Sequence, residues 1–211
     1  MTVLRRSLLF VAIWTFVFLF SGCESKEKSH DFGDNDPNLV LAVGDSITAG
    51  YGVLANQSYP YQLEQMTGLH VINGGRSGAL SWEGLNMFES HVRRSKPGYV
   101  LILFGANDVS YRQTQNTPNH LLAIANRARE LQMIPVIGTL LPAYRDDAHN
   151  NETKLLNQRI RKIARENGIR LADIERDFGN NRDLISVDGL HPTPEGMRLI
   201  AISFMMRISI R

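Results

Sequence analysis

Five short runs rich in Val, Ile and Leu punctuate the chain: Leu39 to Val43, His70 to Ile72, Tyr99 to Phe104, Ile134 to Thr139, and Ile169 to Ile174. Each has the length of a β-strand. Between them the apolar positions fall at helical spacing, as in Leu121, Leu122, Ala125, Ala128 and Leu131, and again in Leu155, Leu156, Ile160, Ile163 and Ala164. Thr117 ahead of Pro118 predicts an N-cap and a first turn, and Gly168 marks a helix end after Glu166 and Asn167. Strands that alternate with helices need long right-handed crossovers, because parallel neighbours cannot be joined by hairpins. The pattern therefore predicts an α/β fold over residues 39–211: a three-layer α/β/α sandwich around a mostly parallel, five-stranded sheet.

The first 38 residues do not share this pattern. Arg5 and Arg6 precede an apolar run from Leu8 to Phe20, broken by Thr15 and ending in Ser21 and Gly22 before Cys23. Residues 1–22 read as a secretory signal peptide. A signal-anchor helix is the alternative, since a membrane span needs about 20 apolar residues. The segment Leu19-Phe20-Ser21-Gly22-Cys23 resembles the lipobox of bacterial lipoproteins. That resemblance implies cleavage before Cys23 and a diacylglycerol on its thiol. From Glu24 to Asn38, Phe32 is the lone large apolar side chain, so residues 23–38 read as a lipidated Cys and a flexible tether with a reach of roughly 20 Å. Asp31, Asp34 and Asp36 miss the spacing of a calcium loop, and a solvated acidic linker is the better reading. The expected location is the cell envelope, with the protein exported and lipid-anchored on a periplasmic face or outer surface.

Composition narrows the partners. Over 211 residues, 23 basic side chains stand against 21 acidic ones, and no basic run tracks a phosphate backbone. Nucleic acid is not an expected partner. Loss of Arg5 and Arg6 with the signal leaves the two signs in balance, so electrostatic attachment to anionic lipid is not expected either. Contact with a membrane would run through Cys23, the chain's single cysteine. One cysteine also excludes an intrachain disulfide and a Cys-rich zinc site. With 43% apolar residues the chain can fill one core and is short for two.

In parallel α/β sheets ligands bind beyond the carboxyl ends of the strands, which directs attention to the residues after each run. The first runs into Gly44-Asp45-Ser46, the second into Asn73-Gly74-Gly75-Arg76-Ser77-Gly78, and the third into Gly105-Ala106-Asn107-Asp108. Beyond the fifth lies Asp188-Gly189-Leu190-His191-Pro192. Singly each is weak; a Gly-Asp-Ser turn is usually only a turn. Together they supply one chemistry. A serine hydroxyl needs a base that titrates near neutral pH, which His191 offers to Ser46. Asp188 can fix the imidazole and stabilise its cation. The backbone N–H groups of Ser46 and Gly78 and the Asn107 amide can hold a tetrahedral oxyanion.

These segments resemble blocks I, II, III and V of the SGNH (GDSL) hydrolase family, in order, from Leu39 to about Phe204, and most closely its thioesterase/lysophospholipase/arylesterase branch. The resemblance implies a flavodoxin-like SGNH hydrolase fold, Ser46 as nucleophile, Asp188 and His191 completing a triad, and an oxyanion hole of Ser46, Gly78 and Asn107. It implies no cofactor and no metal. The expected activity is hydrolysis of carboxylic esters through an acyl-serine. The alternatives are an envelope O-acyltransferase, a carbohydrate O-acetyl esterase, and a non-catalytic binding lipoprotein. The expected partner is a small-molecule, lipid or glycan ester. His30, His70, His91, His120 and His149 have no second motif beside them and are not assigned a role. Tyr51, Trp82, Tyr111 and the loop from Leu141 to Asn151 follow strand ends; packing is preferred over a pocket rim for these aromatics.

Overall fold

The structure, a computed structural model, describes residues 30–208. The signal peptide, Cys23 and residues 24–29 lie outside the described residues. In chain order, β1 (Asp36–Gly44) leads into α1 (Ser46–Ala49) and α2 (Tyr59–Thr67), then β2 (His70–Gly75) and α3 (Gly84–Val92). Next come β3 (Pro97–Leu103), α4 (Ala106–Ser110), α5 (Thr117–Glu130) and β4 (Ile134–Gly138). The chain continues through α6 (Asp147–Glu166), β5 (Arg170–Ala172), α7 (Ile174–Phe178) and α8 (Pro194–Met205).

The five strands form one wholly parallel sheet in the order β2-β1-β3-β4-β5. Every residue of β3 and β4 is buried, as is the second half of β1. This is why the strands read as unbroken apolar runs: a parallel sheet covered on both faces has no polar side. The chain steps outward from β1 to β2, crosses back to β3, and then continues outward to β4 and β5. Right-handed crossovers convert that reversal into two helical layers, α2, α7 and α8 on one face and α3, α5 and α6 on the other. On α6 the buried side chains Thr153, Leu156, Asn157, Ile160 and Ala164 make the stripe that faces the core. Among the described residues no helix is long and apolar enough to cross a membrane.

Two local expectations need correction. Residues 31–38 are not a tether but the start of the domain. Phe32 is buried with its ring 5.5 Å from that of Tyr99, the Asn35 amide donates to the Leu131 carbonyl at 2.7 Å, and β1 opens at Asp36, whose N–H donates to the Lys96 carbonyl. The lone aromatic of a polar stretch serves as its anchor, because burying one such side chain contributes about 2 kcal/mol. Thr117 does not cap α5: it is the first helical residue, and its hydroxyl donates to Asp108 at 2.8 Å. A buried carboxylate outcompetes the helix end as an acceptor.

Candidate active site

Strand register brings the site together. Gly44 at the end of β1 lies level with Gly75 of β2 and Leu103 of β3. Ser46, Gly78 and Asn107 each follow within a few residues, at the point where the sheet's winding reverses. α1 presses against β2 so closely that a Cβ on Gly75 would sit 2.2 Å from the Ala49 nitrogen, which only glycine permits. Gly78 has φ +80° with open space around it, a left-handed turn that exposes its N–H.

His191 arrives from the opposite end of the chain on a tight loop. Ser186 N–H donates to the His191 carbonyl (2.7 Å), Gly189 N–H to Ser186 (3.0 Å), and Tyr144 N–H to Gly189 (2.7 Å). Thr193 then caps α8 through Gly196 N–H, fixing the loop to a helix. Within this frame Ser46 Oγ lies 2.9 Å from His191 Nε2, and His191 Nδ1 lies 2.6 Å from Asp188 Oδ2. The other Asp188 oxygen accepts the Ser186 hydroxyl (2.7 Å) and the N–H groups of Leu190 and His191 (both 2.9 Å). Partial burial raises this carboxyl's pKa, but the bonds from His191, Ser186 and Leu190 outweigh it and hold the group well below the usual carboxylate range. An Asp188 ionised at neutral pH favours the tautomer with Nδ1 protonated, leaving Nε2 free to accept from Ser46.

Of the expected oxyanion donors, Asn107 is tied directly to the Gly78 loop. The N–H groups of Ser46 and Gly78 have no acceptor among the described residues. Asn107 Nδ2 donates one hydrogen to the Ala79 carbonyl at 2.9 Å, which orients the amide and leaves its second hydrogen available. Behind it, Asp108 clamps the parts together. This buried carboxylate accepts the Ser81 N–H (3.0 Å), the Ser81 hydroxyl and the Thr117 hydroxyl, and His120 Nδ1 lies 2.8 Å from the Ser81 hydroxyl. His120, unassigned from the sequence, therefore belongs to the scaffold of the Asn107 region. Ser81 lies 27 residues from Asp108 and 39 from His120 in sequence, so no local spacing marks the cluster.

Asp45 is the buried neighbour of Ser46. Its Oδ1 accepts the Ile47 N–H at 3.0 Å, while Oδ2 is enclosed with no hydrogen-bond partner among the described residues. Burial, assisted by the charge of Asp108, pushes its pKa up to about 7. Between the ordinary value of 3.8 and about 7 the folded state holds a proton that the unfolded chain has released, so raising the pH favours unfolding. Stability is expected to fall across that window by up to about 1.4 kcal/mol per pH unit from this one group. Asp45→Asn should flatten the decline, as read by melting temperatures of the two proteins from pH 5 to pH 8.

Tyr51, Trp82 and Tyr111 are exposed, and the Tyr51 ring lies 4.6 Å from that of His191. The packing expectation fails for all three: they stand in solvent beyond the strand ends, and Tyr51 flanks the imidazole. His70 is exposed against Glu64. Among the described residues no three His, Cys, Asp or Glu side chains gather as metal ligands do.

This geometry has relatives. The chain is 26% identical over 169 residues to thioesterase 1/protease 1/lysophospholipase L1 of Escherichia coli, covering 78% of this chain and 80% of that protein. It is 23% identical to the uncharacterized lipoprotein YqeF of Bacillus subtilis, covering 90% and 94% of the two chains. Its fold superposes with a TM-score of 0.72 on a member of the lipolytic protein G-D-S-L family from Veillonella parvula, at 18% identity over 80% of this chain and 96% of the other. The model of the GDSL-like lipase/acylhydrolase family matches residues 42–199, a span that runs from β1 through His191 into α8. The chain belongs to this family of ester-hydrolysing enzymes.

Proposed function

We propose that the protein is a serine esterase of the cell envelope, cleaving carboxylic esters through an acyl-Ser46 intermediate. The observation that carries this reading is the continuous relay Ser46 Oγ, His191 Nε2, His191 Nδ1, Asp188 Oδ2, at 2.9 and 2.6 Å. His191 Nε2 takes the Ser46 proton as Oγ bonds the carbonyl carbon, and the carbonyl oxygen becomes an oxyanion facing Ser46 N–H, Gly78 N–H and Asn107 Nδ2. Asp188 stabilises the imidazolium. Collapse of the adduct expels the alcohol, which leaves with the proton from Nε2. Water then gives a proton to Nε2 and its oxygen attacks the acyl carbon. The second collapse returns that proton to Ser46 and frees the carboxylic acid.

The thioesterase and lysophospholipase names of the Escherichia coli relative support carboxylic ester and thioester chemistry. The lipoprotein name of the Bacillus subtilis relative supports the reading of Cys23. Export favours esters met in an envelope, on lipids or glycans, over coenzyme A thioesters. A fluorophosphonate probe tests the mechanism directly: peptide mapping should find the phosphonyl group on Ser46, with aryl-ester hydrolysis lost in step. Labelling elsewhere, or hydrolysis that survives labelling, would refute it. Product analysis with a competing alcohol separates hydrolysis from acyl transfer. Membrane fractionation of cells carrying the full chain should find it released by Cys23→Ala.

Asn107→Ala is expected to lower kcat on the order of a hundred- to thousandfold with KM little changed, because the lost donor acts on charge that develops only in the transition state. Steady-state kinetics on an aryl acetate provides the measurement.

A further inference from the structure

Tyr51 is a large side chain that the core does not use. It follows Gly50, whose φ of +88° closes α1, and its N–H donates to the Ser46 carbonyl at 2.9 Å. Only glycine serves at that turn, since a Cβ on Gly50 would also lie 2.8 Å from the Ser58 Cβ. The backbone thus fixes Tyr51 just beyond the nucleophile. Its side chain lies outside the hydrophobic core, 57% exposed, and its hydroxyl has no hydrogen-bond partner among the described residues. Neither burial nor a hydrogen bond accounts for the ring, which leaves its contact with His191.

The two ring centroids lie 4.6 Å apart with the planes tilted by 42°. Such a separation is too short for rings meeting edge to edge and brings a ring face into play. The imidazole's two nitrogens are already engaged within its own plane, Nε2 with Ser46 Oγ at 2.9 Å and Nδ1 with Asp188 Oδ2 at 2.6 Å. Tyr51 therefore meets His191 from a direction that neither bond uses. The His191 side chain is 14% exposed, so a positive charge placed on it is largely cut off from water. Among the described residues Asp188 is the carboxylate paired with it, and that group is itself 43% exposed. A second source of stabilisation close to the ring has work to do.

We propose that Tyr51 is a positioning residue of the relay, whose ring face stabilises the imidazolium that His191 becomes and holds its plane between Ser46 and Asp188. This role rests on Ser46 being the nucleophile. In the first half-reaction Nε2 takes the Ser46 proton as Oγ bonds the acyl carbon, and in the second it takes a proton from water. The cation forms both times, and its proton passes on to the leaving alcohol and then to Ser46. The face of an aromatic ring is the negative end of its quadrupole, so it attracts a cation within about 6 Å of the centroid far more than a neutral imidazole. The attraction is therefore greater in the transition state than in the resting enzyme, which is the condition for raising kcat. A leucine in the same place would shield the imidazole from water but would carry no quadrupole, which separates a wall from a stabiliser.

The test uses the full chain with Tyr51→Phe, with Tyr51→Leu, and with a series of phenylalanines of rising fluorine content incorporated at position 51, since fluorine drains charge from the ring face while hardly changing its size. Steady-state kinetics on p-nitrophenyl acetate should leave Tyr51→Phe within about twofold of wild type and lower kcat about tenfold in Tyr51→Leu, with KM little changed in both. Along the fluorine series kcat should fall in steps toward the Tyr51→Leu value, and the rate of Ser46 labelling by a fluorophosphonate should fall in the same order. A flat fluorine series would overturn the proposal, as would Tyr51→Leu with wild-type kcat, Tyr51→Phe as slow as Tyr51→Leu, or an effect confined to KM. The fluorinated rings are close to isosteric, so a poorly folding Tyr51→Leu does not shelter the idea. If wild type neither hydrolyses esters nor forms an adduct at Ser46, the serine mechanism fails and the role of Tyr51 with it. A flat series on an enzyme still labelled at Ser46 removes the role of Tyr51 alone.

Discussion

Ser46→Ala is expected to cut ester turnover by about 10⁴-fold or more, and to leave the fold in place. The two effects separate because of what the hydroxyl touches. Ser46 is nearly enclosed, and its Oγ makes its bond to His191 Nε2. Deleting that oxygen removes one hydrogen bond, worth about 1 kcal/mol, and the small void it leaves lies at the solvent end of the sheet and not in its core. The nucleophile, by contrast, has no substitute, since alanine offers the acyl carbon nothing to bond. The check pairs kcat on an aryl acetate with a melting curve. A melting temperature near wild type alongside near-normal turnover would move the nucleophile to another residue.

Asp188→Asn should be nearly as damaging, at about 10⁴-fold in kcat, although it removes no reacting atom. The amide would present either a donor to Nδ1, forcing the imidazole proton onto Nε2 where Ser46 must be received, or an oxygen too weakly charged to stabilise the imidazolium. The substitution also touches the loop itself, because Asp188 Oδ1 gathers the Ser186 hydroxyl and two backbone N–H groups. An ionised carboxylate held below its ordinary pKa stabilises the fold above about pH 4 and loses that contribution as the pH falls. The wild type should therefore lose melting temperature on acidification more steeply than Asp188→Asn. A retained kcat with a lowered melting temperature would assign Asp188 to the loop alone.

The parts of this molecule that were legible in the sequence are those in which one physical demand acts on consecutive residues. β3 and β4, buried on both faces, read directly as apolar runs. β1 was legible only from Leu39, because its first three residues, Asp36 to Asn38, are polar or lack an N–H, and the exposed end of a strand imposes no apolar pattern. The first two turns of α6, from Asp147, were missed for the same reason: their outward face is polar, and Leu155 is where apolar side chains begin to recur. The meeting of Ser46, His191 and Asp188, and the placing of Asn107 beside the Gly78 loop, could be expected because each follows a strand end or sits in a short motif whose chemistry would complete the others. The Asp108 clamp could not. Ser81, Thr117 and His120 come from three separate segments, and nothing in their own neighbourhoods distinguishes them from ordinary helix-start and surface residues.

The direction in which β1 runs has a practical corollary. The strand carries the chain from the Phe32 anchor near one end of the sheet to Ser46 beyond the other, roughly 20 Å away over the six strand steps from Pro97 to Leu103 alongside it. Asp31, the first residue of the domain, thus lies toward the end of the sheet remote from Ser46. Immobilising the domain by that end should leave the catalytic mouth turned toward the surrounding medium, free to meet polymers too large to slip between a surface and the protein resting on it.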